Sequence, residues 1–100
     1  MITIYDKASW QVEGGMDVDK VIAHFVTIFE WLHSKKMLSN EGSQFIEIGI
    51  DDSISLNEEM VTKEGNQFLS KYYDKIISES NYDKDIEKKL LDSYYNEFCK

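Results

Sequence analysis

Apolar residues at Val18, Val21, Ile22, Phe25, Ile28, Phe29 and Leu32 recur at the i, i+3, i+4, i+7 spacing that gathers side chains on one face of an α-helix. Ala23, Val26 and Trp31 widen that face, Asp17 stands where an N-cap belongs, and Lys35 and Lys36 lie at the opposite end. The spacing predicts a central helix over Val18–Lys36, with Phe25, Phe29 and Leu32 in the core. A second helical stripe follows Thr62 over residues 63–79, with Phe68, Leu69, Tyr72, Tyr73, Ile76 and Ile77. A third begins at Tyr82 or Asp83 and carries Ile86, Leu90, Leu91, Tyr94, Tyr95 and Phe98. Elsewhere the period changes. Ile2 and Ile4 alternate with polar neighbours, so residues 2–12 read as an extended segment stopped by Gly14-Gly15. Ile46, Ile48 and Ile50 alternate with Glu47 and Gly49, which predicts a hairpin turning at Asp51-Asp52-Ser53 and returning through Ile54 and Leu56. The rival is a short helix over Asn40–Ile48 followed by a loop. Ser55-Leu56-Asn57-Glu58 has the form of a capping box that opens a single turn through Met60. The resulting class is mainly α: three substantial helices around a central one, a short N-terminal extended segment and a small β-hairpin, with α+β as the alternative.

One hundred residues suit one domain over positions 1–100, large enough to bury a core without metal or disulfide. Charge narrows the partners. A net −8 repels nucleic acid and anionic membranes, so neither is an expected partner. Five acids and one lysine fall within Asp51–Glu64. Solubility is the plain reading of that excess; an acidic face that steers a basic protein partner is the sharper one. Polar residues directly after Met1-Ile2-Thr3-Ile4, a central helix interrupted by His24, Glu30 and His33, and a lone Cys99 fit a cytoplasmic protein.

The chemistry-bearing residues are sparse. Glu30 and His33 have the Glu-x-x-His spacing of di-iron bundles, but those need a second copy and two further glutamates, so no metal and no cofactor are expected. His33 suits a helix C-terminal cation, and His24, beside the apolar arc, a hydrogen-bonded half-buried imidazole. No serine elbow or phosphate-cradling loop is present. Asp51-Asp52 and Glu58-Glu59 are adjacent pairs of exposed type, which read as solvated turns rather than as acid–base catalysts, since that chemistry needs two separated environments. In the pairs Tyr72-Tyr73 and Tyr94-Tyr95, neighbours point about 100° apart on a helix, so one member of each is expected to reach the surface.

Tyr5-Asp6-Lys7-Ala8-Ser9-Trp10, followed by Gly14-Gly15 and the long helix, resembles the opening of an uncharacterised bacterial domain family with a Tyr-Asp-x-Ala-Ser-Trp-His signature. Glu64-Gly65-Asn66-x-Phe68 with Tyr72-Tyr73 is similar to that family's later motif. Some members look like immunity proteins, cytoplasmic antidotes of bacterial toxins. Together with the acidic excess and the missing catalytic constellation, the resemblance points to a non-enzymatic protein-binding domain, with an immunity-type inhibitor of a toxin as its specific form; the density of acids within Asp51–Glu64 makes Asp51, Asp52, Glu58 and Glu59 the expected contact residues. Gln11 replaces the family's histidine, which weakens any catalytic role there. Read physically, the first motif places Trp10 against the core and lets Asp6 or Ser9 cap a turn. Its functional alternative is a small-molecule or enzymatic site near Trp10 and His24, with Tyr5, Asp6 and Gln11 supplying polar contacts.

Overall fold

The computed structural model describes residues 3–100. The order is β1 (Ile4–Lys7), α1 (Ala8–Glu13), α2 (Val18–Ser34), α3 (Asn40–Ile48), β2 (Ser55–Asn57), a 3₁₀ turn (Glu58–Met60), α4 (Lys63–Ser80) and α5 (Lys84–Phe98). The fold is mainly α, and α2 is its centre: α1, α3 and α5 all pack against it. Val21, Phe25, Ile28, Phe29 and Leu32 have no exposed surface, as their spacing predicts, whereas Val18 is exposed at the first turn. Asp17 caps α2 by accepting the Lys20 backbone N–H. The helix ends two residues early, because Lys36 takes a left-handed φ of 60° that turns the chain toward Met37. Lys35 lies with its ammonium over Tyr95 and Trp31.

The extended segment is shorter than alternation suggests, and Ile2 lies outside the described residues. Only Ile4–Lys7 is strand; Ala8–Glu13 is helical. Ala8 is fully buried and donates its N–H to the Ile54 carbonyl at 3.1 Å, which fixes the point where the strand bends into the helix. Gly15, with φ of 100°, then permits the turn into α2.

The hairpin over residues 44–56 does not form; the rival helix does. Ser39 caps α3 by accepting the Gly42 N–H, and Phe45 meets Phe29 edge to face at 6.4 Å. Gly42 sits under the Met60 carbonyl and Leu38, an approach only a residue without Cβ allows. Ile46 and Ile50 are partly buried and Ile48 is 78% exposed, so the alternation of three isoleucines marks no sheet face. The return strand exists in another pairing: Ser55–Asn57 runs antiparallel to Ile4–Lys7, with Asp6 opposite Leu56 and Lys7 opposite Ser55. The single turn that follows is capped by Asn57, whose Oδ1 accepts the Glu59 N–H, rather than by Ser55.

α4 begins as its sequence predicts, with Thr62 accepting the Gly65 N–H and Gly65 packed against the Met37 carbonyl and Val61. Tyr72 and Tyr73 are both buried, contrary to the expectation for adjacent residues, because α4 is covered from two sides by α5 and β1. Asp83 caps α5. On α5 the buried stripe is shifted by one residue: Ile86 is exposed and Glu87 and Leu91 are buried.

Candidate functional site

Five elements and one connecting turn converge on a polar network inside the core. Asp6 comes from β1, Gln11 from α1, His24 from α2, Tyr73 from α4, Tyr82 from the α4–α5 turn and Glu87 from α5. His24 and Glu87 have no exposed surface, and Asp6, Tyr73 and Tyr82 are buried. Asp6 Oδ2 accepts hydrogen bonds from the hydroxyls of Tyr73 at 2.7 Å and Tyr82 at 3.0 Å. Its Oδ1 accepts the Lys7 N–H and the Gln11 side-chain amide, each at 2.9 Å. Four donors saturate the carboxylate, which therefore carries its negative charge in the core.

The hydrogens of the rest can be counted. The single hydroxyl hydrogen of Tyr73 points at Asp6, so its oxygen is an acceptor toward His24 Nε2, 2.8 Å away, and Nε2 carries a hydrogen. The next hydrogen lies between His24 Nδ1 and Glu87 Oε2, 2.6 Å apart. Imidazolium with carboxylate and imidazole with carboxylic acid have the same sum of charge. Including Asp6, the network keeps one net negative charge in either arrangement. Among the described residues Glu87 Oε1 has no hydrogen-bond partner. Burial first, and then the charge of Asp6, push the Tyr73 and Tyr82 phenols well above their ordinary pKa of 10.0. Tyr82 has a φ of 62°, a left-handed conformation that costs a non-glycine residue about 1–2 kcal/mol. Its ring packs edge-on to His24 at 4.6 Å and its hydroxyl reaches Asp6, contacts that hold the turn against that cost.

Outside this network lies a cleft of about 300 Å³ between α1 and α4. Tyr5, Asp6, Trp10 and Gln11 line it, so four of the five residues expected near a pocket do meet. His24 is not among the lining residues; Tyr73 stands between it and the cleft, and both ring nitrogens are engaged. Trp10 is 50% exposed and does not lie against the core as its motif suggests, because α1 buries Ala8 and turns the indole outward. Asp6 caps no helix by itself, although it does accept the Lys7 N–H.

The acidic contact residues occupy two places separated by β2. Asp51 and Asp52 are exposed in the loop after α3, where Asp51 Oδ1 accepts the Ser53 N–H and hydroxyl. The Ser53 hydroxyl bond, then the Ser53 N–H bond, hold the Asp51 carboxyl below its usual range. Glu58 is partly spent inside the molecule: its Oε1 accepts the Thr3 N–H at 2.8 Å and ties down the N-terminal strand. Glu59 is exposed. The structure adds what the acidic run alone does not announce. Ile48, the last residue of α3 and next in the chain to Glu47, is 78% exposed, and Val26, Phe45, Ile46 and Ile50, with Glu30, line a shallow apolar cleft of about 250 Å³. Among the described residues no group of three His, Cys, Asp or Glu side chains is placed to hold a metal, and no helix is long and apolar enough to cross a membrane.

Comparisons of the chain with protein-family models, with curated proteins and with solved structures returned no match.

Proposed function

We propose that the chain is a non-enzymatic protein-binding domain whose contact surface is the C-terminal end of α3 and the loop after it. The observation that carries this reading is Ile48: a large apolar side chain 78% exposed, close in the chain to the exposed carboxylates of Glu47, Asp51 and Asp52. An exposed apolar anchor in an acidic stretch of chain suits a partner that offers an apolar pocket with a basic rim. The net −8 of the chain favours the same partner at longer range. An immunity-type inhibitor of a basic bacterial toxin is the specific form of this reading, supported by the resemblance of the Tyr5–Trp10 segment and acting in the cytoplasm.

The two contributions separate in one experiment on association with the product of an adjoining toxin-like gene. Neutralising Asp51, Asp52, Glu58 and Glu59 together as Asn and Gln should slow association at low salt and matter little near 0.15 M, where screening shortens to about 8 Å. Ile48→Asp should instead speed dissociation at both salt concentrations. Unchanged kinetics in both variants, with folding intact, would remove this surface from the interface.

A second reading, a small-molecule site at the Trp10 cleft, is favoured by the convergence of Tyr5, Asp6, Trp10 and Gln11 on one cavity. The saturated hydrogen bonds of Asp6 and His24 leave neither free for acid–base work, so this reading is one of binding.

A further inference from the structure

The Trp10 cleft has a chemical bias that identifies its ligand class. Of its nine lining residues, four are aromatic, two are carboxylates and none is a lysine, in a chain that has eleven basic residues. Several of its hydrogen-bond donors are already used. The hydroxyls of Tyr73 and Tyr82 and one of the two Gln11 amide hydrogens point at Asp6, and the Tyr5 hydroxyl donates to Asn66 Oδ1. What remains toward the cleft is the Gln11 carbonyl oxygen, the exposed Asp74 carboxylate and the aromatic faces as acceptors, with the second Gln11 amide hydrogen, the Trp10 indole N–H and the Ser78 hydroxyl as the hydrogens uncommitted among the described residues. Behind the rings sits the buried charge of Asp6. The chain itself shows that the indole attracts a cation, for the Lys7 ammonium lies 5.8 Å from the Trp10 ring centroid, and Lys7 is not part of the cleft lining.

Resting on the reading of this cleft as a ligand site, we infer that it takes an organic ammonium group, held on the Trp10 face and neutralised by Asp74 at the rim and Asp6 beneath. A volume of about 300 Å³ is at the small end for ligand pockets and matches a cationic head group rather than a whole large ligand. An anion meets two carboxylates in the lining, with only the Lys7 ammonium near the Trp10 ring to set against them. A neutral ligand finds apolar area but no use for the acidic rim. Cation binding to aromatic faces has the right source of attraction, the negative quadrupole of the ring, reinforced by the nearby charges.

The test follows the indole N–H resonance of Trp10 in the intact protein, read against that of Trp31, which is buried and donates to Asp92 Oδ1 at 2.9 Å. Three probes are titrated: choline, its neutral isostere 3,3-dimethylbutan-1-ol, and Nα-acetyl-lysine methylamide, which stands for a lysine on a protein. Saturable shifts at Trp10 from choline or from the lysine derivative, with none from the isostere, are the expected result. Choline alone points to a free quaternary amine and the lysine derivative alone to a protein side chain. Asp74→Asn, at an exposed position, should weaken binding by roughly fivefold with the fold unchanged. Equal binding of the isostere overturns the cation assignment while leaving a ligand site in place. No saturable shift from any probe up to about 10 mM overturns both.

Discussion

Glu87 is the residue whose environment departs furthest from its type. A carboxylate with no exposed surface is tolerated because His24 shares a hydrogen with it at 2.6 Å, so removing one partner strands the other. Glu87→Ala should lower the unfolding free energy by about 3–5 kcal/mol, a large part of what a domain of this size has. Glu87→Gln keeps a polar group facing Nδ1 and should cost less, about 1–2 kcal/mol. Urea titrations of the two variants check this; equal losses would mean that side-chain volume, not the shared hydrogen, is what matters there. The position was findable. Glu87, Leu91, Tyr94, Tyr95 and Phe98 follow helical spacing as well as Ile86 does, and a glutamate on an apolar stripe implies a buried partner such as His24 on its own stripe.

The elements depend on how closely backbones can approach. α3 lies on the 3₁₀ turn because Gly42 has no Cβ to strike the Met60 carbonyl, and α4 starts against Met37 for the same reason at Gly65. Alanine at position 42 should gain up to about 1 kcal/mol of helix propensity and lose more to the clash, for a net destabilisation of about 1–2 kcal/mol. A raised thermal midpoint for Gly42→Ala would show that α3 does not rest on that carbonyl. The central helix is tested more simply. Phe29 is fully buried and meets Phe45, so Phe29→Ala should cost about 3–5 kcal/mol, seen as a lower denaturation midpoint.

For the whole molecule, the buried phenols set the alkaline limit of stability. In the unfolded chain Tyr73 and Tyr82 ionise near pH 10, whereas in the folded protein burial and Asp6 hold them protonated to higher pH. The unfolded chain therefore releases protons first. Their contribution is fully present below about pH 10 and is lost as pH rises through the folded values. Thermal midpoints measured from about pH 9 to about pH 12 should fall, and Tyr82→Phe, which has no proton to release, should flatten the decline while lowering stability at neutral pH. A decline of equal steepness in that variant would place the alkaline weakness elsewhere.

The central helix, the start of α4 at Thr62 and the cap of α5 at Asp83 were legible in the chain because amphipathic spacing and capping act within a few residues. The grouping of Tyr5, Asp6, Trp10 and Gln11 followed from their nearness along the first motif. Contacts between distant residues had no such signal. Whether residues 44–56 form a hairpin turned on the fit of Gly42 under Met60 and on Ser55–Asn57 pairing with the N-terminal strand, contacts that alternation of isoleucines cannot express. The network of Asp6, His24, Tyr73, Tyr82 and Glu87 was likewise settled by tertiary structure: a hydrogen bond reaches about 3 Å, while its partners stand as much as 76 positions apart, so only the packing of five elements brings them together.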